Sequence, residues 1–342
     1  MNKSSLKLSI ICPVFNEEKY IERCINSILL QDYAHENIEL LFIDGCSSDK
    51  TVEIIQKYAD NYKFIKIINN PHKYVPQALN IGIKHSEGDV IIRIDGHCIY
   101  PVNYFTTLVH YLYKLNADNV GVLWNTVPAK DTTICKAIAI TSSHIFGVGG
   151  SKHKIGSNKI IETDTVPFGC YKREVFDRIG LFDEDLIRNQ DDEFNARLIK
   201  NGGKIFLIPE LVIDYFARDT LNKTSRMYYQ YGLFKPLVNK KLKGAATIRQ
   251  FMPAIFTTGL IFGPFISLFS VFFLYIYIFF VALYLSIGLA IGIKMSIVNK
   301  DIHLTYSIPF IFLIIHLSYG MGYLQGIFKV IFNRKFTVSI SR

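Results

Sequence analysis

Acidic side chains stand at three points of the sequence where a run of apolar residues ends. Glu17 follows the first run, Asp44 closes the second, and Asp95 closes a later run together with Gly96 and His97. Carboxylates accept hydrogen bonds from a base or a ribose, and they hold divalent cations over a pyrophosphate. The pattern therefore indicates a nucleotide pocket that is built from carboxylates.

Other kinds of site are disfavoured by motifs that the sequence lacks. No G-x-G-x-x-G follows the first apolar run and no Walker A lysine loop is present, so neither a dinucleotide site nor a P-loop is expected. The six cysteines include no C-x-x-C pair. We therefore expect reduced core thiols rather than a zinc site or a disulfide framework.

The elements that must position these side chains alternate between strands and helices. Strands are predicted at residues 8–15, 38–44, 64–68, 89–95 and 120–127, and helices at residues 17–30, 48–59, 76–85 and 104–117. This alternation is typical of an α/β fold, in which a parallel sheet carries helices on both faces. Ligands of such sheets bind at the carboxyl ends of the strands, which is where the acidic residues stand.

The last third of the chain is much more apolar than the rest. Residues 251–293 carry no charged side chain, and residues 304–328 carry only His316. A bilayer core of about 30 Å is crossed by about 20 helical residues, so the first stretch is long enough to cross twice and the second once. The N-terminal apolar run is too short for a signal peptide and contains Pro13, so the large domain is expected in the cytosol.

A basic segment precedes the apolar region and accounts for much of the net charge of +9. Residues 221–250 contain no acidic residue, and their cations are Lys223, Arg226, Lys235, Lys240, Lys241, Lys243 and Arg249. Basic residues beside a membrane segment attract anionic lipid headgroups. This position favours a membrane surface over nucleic acid as the partner of the segment.

These features divide the chain into a soluble domain (residues 1–220), a basic interfacial segment (221–250) and a membrane region (251–342) with two to three transmembrane helices. Three crossings would place the C-terminus outside the cell, yet the tail carries cations that prefer the cytosol, namely Lys329, Arg334, Lys335 and Arg342. One apolar stretch is therefore expected to lie in the interface or to re-enter, with a break at Gly263 and Pro264.

The motifs, in their order, resemble the family 2 inverting glycosyltransferases with the GT-A fold, a Rossmann-like and mainly parallel sheet with helices on both faces. The resemblance runs from about residue 9 to residue 218. It rests on SIICPVFNEEKYIERCINSILLQ and IDGCSSDKTVEII. A branch that contains the succinoglycan glucosyltransferase ExoA is more similar still, through NPHKYVPQALNIGI, RIDGHCIYP, FGVGGS and NQDDEFNARLIKNGGKI.

The resemblance implies that a nucleotide-sugar donor is bound at the strand ends. The implied donor-binding residues are Pro13, Phe15 and Glu17 around the nucleoside, Asp44 on the base, Lys73, Asn80 and Arg93 as further contacts, and Asp95 at the phosphates. A turn residue that caps the next helix is the alternative for Asp44, although Asp49 is a better candidate for that cap.

The metal motif of the family, Asp-x-Asp, here reads Asp95-Gly96-His97. Asp95 supplies the hard oxygen that Mg²⁺ or Mn²⁺ needs to bridge two phosphates. His97 supplies a nitrogen, which suits Mn²⁺ better than Mg²⁺. A direct hydrogen bond from His97 to a phosphate is the alternative role.

The catalytic base of the family is the Asp of a Glu-Asp pair, which here reads Gln190-Asp191. Asp191 is therefore the predicted base for the acceptor hydroxyl. Acidic residues at a helix start also complement the helix dipole, and this is the preferred role of Asp192. Glu193 is ambiguous between the helix face and the acceptor site.

The glycines of FGVGGS, Gly147, Gly149 and Gly150, are expected in an acceptor or donor-phosphate loop, with an ordinary flexible connection as the alternative. The Gln-x-x-Arg-Trp motif of processive synthases is absent, which favours transfer of one sugar per encounter.

The predicted reaction moves a sugar from a UDP-sugar, such as UDP-glucose, to a lipid-linked saccharide at the cytosolic membrane face, with other polysaccharide-assembly proteins as candidate partners. The alternatives are transfer to a polyprenyl phosphate, or an inactive scaffold subunit of an export complex.

Overall fold

The computed structural model describes residues 6–245 and 247–336, which fold into eight strands, thirteen α-helices and two 3₁₀-helices. The strands are β1 (Leu8–Val14), β2 (Ile38–Asp44), β3 (Ile65–Asn69), β4 (Val90–Arg93), β5 (Asn119–Val127), β6 (Ile161–Glu162), β7 (Cys170–Lys172) and β8 (Ile205–Phe216). The helices are α1 (Ile21–Leu29), α2 (Thr51–Ala59), α3 (Val75–His85), α4 (Tyr104–Lys114), α5 (Thr133–Ser143), α6 (Ile145–Val148), α7 (Lys152–Ile155), α8 (Glu174–Ile179), α9 (Gln190–Lys200), α10 (Leu221–Lys241), α11 (Met252–Ser267), α12 (Val271–Asn299) and α13 (Leu304–Ile331).

The chain divides into two compact units. The sheet unit comprises Met1–Asn125 and Gly156–Asp214, and the helical unit comprises Thr126–Ile155 and Tyr215–Arg342. Each unit therefore takes its residues from two separate stretches of the sequence.

The strands form one sheet in the order β3-β2-β1-β4-β7-β5-β8-β6. β1 runs parallel to both β2 and β4, and β2 runs parallel to β3. β7 is antiparallel to β4 and β5, and β6 is antiparallel to β8. The predicted α/β sheet is confirmed, and it is parallel over its first four strands and mixed beyond them.

The two faces of the sheet carry two separate hydrophobic clusters. Ile10 of β1 packs into the cluster that contains α1 and α4, whereas its neighbour Ile11 packs into the cluster that contains α3 and α9. Successive residues of a strand point to opposite faces. Because helices cover both faces, a central strand is apolar at almost every position, which explains why β1 is apolar at every position except Ser9.

The predicted helix after β1 begins later than expected, at Ile21 rather than at residue 17. The amides of Tyr20 and Ile21 both donate to the carbonyl oxygen of Glu17, at 2.8 and 2.9 Å, which closes a turn ahead of the helix. The helix α2 begins at Thr51 rather than at residue 48, and its N-cap residue is Lys50, without a side-chain cap bond. Asp49, the predicted cap, lies one residue earlier, and its Oδ1 accepts from the Thr51 amide at 3.0 Å.

The helical unit contains three helical stretches that are long and apolar enough to cross a membrane. They are Ile248–Ser267, in which a 3₁₀-helix (Ile248–Phe251) leads into α11, Val271–Asn299 (α12) and Leu304–Ile331 (α13). The break predicted at Gly263 and Pro264 is wrong. α11 continues through both residues, and the chain turns after Ser267, where Ser270 caps α12. Arg342 of the basic tail lies outside the described residues.

Candidate active site

The carboxyl ends of the parallel strands place the predicted nucleotide residues at one edge of the sheet. Val14, the last residue of β1, is in register with Asp44 of β2, and Asp44 is in register with Asn69 of β3. The sheet therefore brings together segments that are distant in the sequence, as expected for the ligand edge of an α/β fold.

Hydrogen bonds join the loops that follow β1 and β2. The Asn16 amide donates to Ser47 Oγ at 2.9 Å, and Asn16 Oδ1 accepts from the Ser48 amide at 2.8 Å. The Glu17 amide donates to Thr51 Oγ1 at 2.6 Å. These side-chain to main-chain bonds fix the two loops relative to each other.

Left-handed backbone conformations cluster at this edge. Five non-glycine residues beside it have a positive φ, namely Asn16 (55°), Cys46 (62°), Lys73 (66°), Phe168 (47°) and Asn189 (61°). They follow β1, β2 and β3, or precede β7 and α9. Each such residue costs about 1–3 kcal/mol and persists where the surrounding structure holds it. This concentration of strain is typical of a functional site.

Asp44 is buried at the end of β2. Its two carboxylate oxygens share the amide hydrogen of Ser47, at 3.2 and 3.1 Å. Pro13 and Phe15 are half-buried nearby in the sequence, and Lys73 is exposed. The roles predicted for these residues in donor binding stay predictions, because their side chains make no contact that distinguishes a binding role.

Asn80 lies on α3 and is fully engaged within the protein. Its amide nitrogen donates to the Phe182 carbonyl at 2.9 Å and to Glu184 Oε1 at 2.8 Å, and its oxygen accepts from the Phe182 amide at 3.0 Å. Both donor hydrogens are therefore used to hold the loop that leads to α9. A donor contact for Asn80 stays a prediction, and positioning of this loop is what its hydrogen bonds support.

Arg93 and Asp95 are paired at the end of β4. Arg93 Nη2 lies 3.4 Å from Asp95 Oδ1, and their side chains are 16% and 23% exposed. The guanidinium also lies 6.0 Å from the centre of the Phe168 ring. Burial lowers the pKa of Arg93, but the charges of Asp95, Asp191 and Tyr171 and the hydrogen bond to Asp95 together raise it by more, so its pKa lies above the ordinary value. Arg93 thus interacts electrostatically with both predicted functional carboxylates.

His97 is paired with Glu17. His97 Nδ1 lies 3.2 Å from Glu17 Oε1, and the Glu17 side chain is only 1% exposed. Gly96, which lies between Asp95 and His97 in the sequence, is close to the end of β1 and the start of α1. A Cβ added to it would lie 3.2 Å from side-chain atoms of Val14 and of Ile21. A buried carboxylate that holds one imidazole nitrogen orients the ring and leaves the other nitrogen for a ligand.

Asp191 lies in the first turn of α9, at the start of the helix as predicted. Its Oδ1 accepts from the amide of Asp192 at 3.0 Å. Glu193 points elsewhere, because its two oxygens accept from Nε and Nη2 of Arg197 at 2.8 and 2.9 Å. Arg197 in turn donates to the Leu181 carbonyl. Glu193 is therefore a structural residue of the helix face.

Buried polar and aromatic contacts support the start of α9. Asn195 accepts from Asn119 at 3.0 Å and donates to Thr165 at 2.9 Å. The rings of Phe182 and Phe194 stack at 4.4 Å. Buried hydrogen bonds and ring contacts of this kind hold an element in one position, so packing beneath α9 supports the place of Asp191.

A divalent cation fits the Asp95 region only if the substrate completes its coordination. Among the described residues, no group of three or more His, Cys, Asp and Glu side chains is arranged to hold a metal ion. Mg²⁺-type sites commonly use one or two carboxylates together with substrate phosphates and water. Asp95 with His97 therefore suits a cation that arrives with a diphosphate.

Aromatic residues of the sheet edge were not predicted. The Phe168 ring lies 5.5 Å from Trp124, the one tryptophan of the chain. Tyr171 of β7 is buried, and although Arg93 lowers its pKa, burial raises it by more. The only sequence signal for Phe168 was its position in the segment Pro167-Phe168-Gly169, and this segment does not predict that Phe168 lies beside Arg93.

The glycine loop predicted to bind acceptor or phosphate lies in the helical unit. Gly149 and Gly150 both have a positive φ, of 60° and 84°. Arg249 Nη1 lies 3.4 Å from the Gly150 carbonyl oxygen. Acceptor or donor-phosphate binding by this loop stays a prediction.

The chain is similar to known glycosyltransferases. It is 32% identical to a dolichyl N-acetyl-α-D-glucosaminyl phosphate 3-β-D-2,3-diacetamido-2,3-dideoxy-β-D-glucuronosyltransferase of Methanococcus voltae, over 68% of this chain and 74% of that protein. It is 29% identical to the succinoglycan biosynthesis protein ExoA of Rhizobium meliloti, over 71% of this chain and 73% of that protein.

The fold is similar to that of the mannosyltransferase PcManGT of Pyrobaculum calidifontis, which was solved with GDP-Man and Mn²⁺. The TM-score is 0.58 at 16% identity, over 92% of this chain and 87% of that chain. This likeness confirms the predicted GT-A-like fold. The glycosyl transferase family 2 domain matches residues 9–180. The chain therefore belongs to glycosyl transferase family 2 and is a glycosyltransferase.

Proposed function

We propose that this glycosyltransferase moves one sugar, with inversion, from a UDP-sugar such as UDP-glucose to a lipid-linked saccharide. The observation that carries the proposal is the pairing of Arg93 with Asp95 at 3.4 Å at the end of β4, together with the charge of Asp191, which raises the pKa of the same guanidinium. Donor phosphates at Asp95 and an acceptor hydroxyl at Asp191 would then both lie within the field of one fixed positive charge. A fixed charge of this kind stabilises the negative charge that develops during displacement at the anomeric carbon.

The donor would bind across the carboxyl edge of β1, β2 and β4. Pro13 and Phe15 would line the nucleoside pocket, and the buried Glu17 would act by holding His97. Asp44 would accept hydrogen bonds from the base, and Lys73 would reach the donor from its exposed position. Asp95, with His97 beside it, would hold Mn²⁺ or Mg²⁺ at the diphosphate. When bound, the cation offsets the negative charge that develops on the departing nucleoside diphosphate.

Asp191 would act as the general base. It would take the proton of the acceptor hydroxyl as that oxygen attacks the anomeric carbon, a role that contributes typically about 10²–10⁴-fold to the rate. Its position in the first turn of α9 and the buried contacts of Asn195 beneath it support this role, because they hold the carboxylate in one place.

The relatives support a lipid-linked acceptor. The Methanococcus voltae protein is named for a dolichyl-phosphate-linked sugar acceptor, and the Rhizobium meliloti protein for succinoglycan biosynthesis. We infer a role in cell-surface polysaccharide assembly at the cytosolic face of the cell membrane, together with other proteins of that assembly. In this arrangement residues 1–220 bind the donor, residues 221–250 meet the headgroups and residues 251–342 anchor the chain.

Transfer assays with defined substrates test the proposal. Purified full-length protein in detergent would be given Mn²⁺, radiolabelled UDP-glucose or GDP-mannose, and either a polyprenyl phosphate or a polyprenyl-diphosphate-linked sugar. We expect labelled product from the UDP-sugar on the sugar-bearing lipid, with the anomeric configuration inverted when examined by NMR. Product from polyprenyl phosphate alone, or a retained configuration, would overturn the proposal.

A further inference from the structure

α11 and α12 form an apolar hairpin that is largely uncovered by the rest of the helical unit. Leu268 and Phe269 at its turn are 83% and 86% exposed, and residues 251–293 carry no charge. The two helices pack closely, because a Cβ at Gly263 would lie 2.4 Å from the Tyr277 ring. A cavity of about 620 Å³ between them is lined by apolar and aromatic side chains. Exposed apolar surface of this extent fits the interior of a bilayer.

The hairpin starts and ends beside the same short stretch of chain. Arg249, just before α11, contacts the Gly150 carbonyl oxygen. Asp301, just after α12, accepts a hydrogen bond from Thr133 Oγ1 at 2.8 Å. Thr133 and Gly150 both belong to Thr126–Ile155, so one stretch of chain contacts both the entry to α11 and the exit from α12.

That stretch does not itself cross a membrane. Within residues 6–245 and 247–336, the three candidate spans all begin at or after Ile248. The helices of the stretch, α5, α6 and α7, have 11, 4 and 4 residues, whereas a crossing needs about 20. The start of α11 and the end of α12 are therefore on the same side of the membrane, and the hairpin returns to the face from which it enters.

α13 begins on this side, and its second half packs along α10. Ser225 and Ser318 hydroxyls are 2.8 Å apart, and Lys240 Nζ donates to Asn333 Oδ1 at 3.2 Å near the other end. The backbones are in close contact, since a Cβ at Gly322 would lie 2.1 Å from the Tyr229 carbonyl oxygen. α10 therefore packs along α13 from the middle of α13 to the C-terminal end of α13.

α10 is unsuited to the hydrocarbon core. It carries five cations, Lys223, Arg226, Lys235, Lys240 and Lys241, and no acidic residue. Charged side chains in the core of a membrane are costly and rare. Because α10 stays at the membrane surface, the half of α13 that packs against it stays there too.

We propose that one hairpin, α11–α12, anchors the chain, and that α13 lies at the membrane surface with α10 without crossing. The C-terminal tail is then on the same face as residues 6–245, which contain no candidate span. This topology places Lys329, Arg334 and Lys335 on the cytosolic side, where basic residues are favoured. It removes the conflict between three crossings and a basic tail, and it is independent of the sugar that is transferred.

C-terminal fusions to the full-length chain test the topology. Green fluorescent protein is fluorescent in the cytosol, and alkaline phosphatase is active only when exported. In a bacterial host we expect the fluorescent fusion to be bright and the phosphatase fusion to be inactive. A three-crossing chain would give the reverse result, which would overturn the proposal.

Labelling of a single introduced cysteine provides a second measurement without a fusion. Lys335→Cys lies at an exposed position, with wild-type protein as the background because five of its six cysteines are buried. A membrane-impermeant maleimide should label the variant in inverted vesicles at least about tenfold more than in intact cells. Equal or stronger labelling in intact cells would contradict the proposal, whatever the transfer assay shows.

Discussion

Arg93 Nη2 lies 3.4 Å from Asp95 Oδ1 at the end of β4, and the same guanidinium interacts electrostatically with Asp191 at the start of α9. One cation thus connects the carboxylate proposed to hold the donor phosphates with the carboxylate proposed to activate the acceptor. This relationship makes several features of the site testable.

Loss of the Arg93 charge should impair catalysis more than it impairs folding. We expect Arg93→Gln to lower kcat/KM by roughly 100-fold, because a fixed charge beside the reacting groups is lost. Arg93→Lys should lose less, since it keeps the charge but not the planar fork. Steady-state transfer rates of protein purified in detergent would measure both.

Arg173→Gln is the matched control, because Arg173 donates to Ser86 Oγ at 2.8 Å and to the Gly88 carbonyl oxygen, beside the opposite end of β4. This variant should be less stable, yet it should keep its kcat/KM per folded molecule. Activity of Arg93→Gln within twofold of wild type would show that the guanidinium is only structural.

Glu17 and His97 should act as one unit in donor binding. Their 3.2 Å contact predicts that Glu17→Gln and His97→Gln each weaken Mn²⁺-dependent UDP binding by about 10–100-fold, as for the partners of metal ligands. Because the residues are in contact, the double variant should lose little more than either single variant. Calorimetric titration with UDP would give the three affinities.

Glu18→Gln serves as the control for that cycle, since the Glu18 side chain is exposed and accepts from the Lys50 amide at 3.3 Å, a bond that the glutamine oxygen can also accept. It should bind UDP nearly as well as wild type. Fully additive losses in the double variant would mean that Glu17 does not act through His97.

Asn80 should matter through the loop that precedes α9. Asn80→Ala removes hydrogen bonds to Phe182 and Glu184, which we expect to cost about 2–3 kcal/mol of unfolding free energy. Thermal melting followed by the fluorescence of Trp124, the single tryptophan, would detect the change. The surface variant Asn61→Ala should melt close to wild type. A normal melting temperature combined with weaker UDP binding would instead identify Asn80 as a donor contact.

Asp49 should contribute stability that depends on pH. Burial raises its pKa, but hydrogen bonds from Thr51 and Glu18 lower it by more, so the pKa lies below the ordinary Asp value. A carboxyl group whose pKa is lowered by folding stabilises the fold at pH values above its unfolded-state pKa. This stabilisation is lost as the pH falls through its folded-state pKa. Asp49→Asn should therefore lower stability by about 1 kcal/mol at pH 7.

That difference between wild type and Asp49→Asn should shrink as the pH falls below about 4. Melting temperatures at pH 7, 5 and 3 would measure it. A difference that is constant across this range would show that the charge of Asp49 is not involved.

The central strands were predictable because their burial on both faces leaves a strong signal. β2 was predicted with its observed bounds, Ile38–Asp44, since every one of its residues is buried and apolar residues dominate. β6, β7 and β8 were missed. β6 and β7 have two and three residues, which is too short to show a period of two, whereas β8 has twelve residues and was missed although it is the longest strand. The mixed character of the sheet follows from these short strands.

The candidate site was partly predictable. That Arg93 and Asp95 share a face follows from the alternation of side chains along an extended segment. The approach of Asp191 to Arg93 does not, because it depends on how the distant helix α9 packs on the sheet. The role of Asn80 in holding the Phe182 loop was also missed, since a buried amide and a ligand-binding amide look the same in a sequence.

Asp95 and Asp191 should differ in whether they serve donor binding or sugar transfer. Mn²⁺-dependent UDP binding and the rate of sugar transfer would be determined for wild type, Asp95→Asn and Asp191→Asn, with Asp192→Asn as the neighbouring control. Thermal melting would confirm that each variant is folded.

We expect Asp95→Asn to lose Mn²⁺-dependent UDP binding and transfer together. Asp191→Asn should bind UDP like wild type but transfer at least about 100-fold more slowly, and Asp192→Asn should stay within a few-fold of wild type. Transfer by Asp191→Asn at the wild-type rate, or unchanged Mn²⁺-dependent UDP binding by Asp95→Asn, would contradict the account.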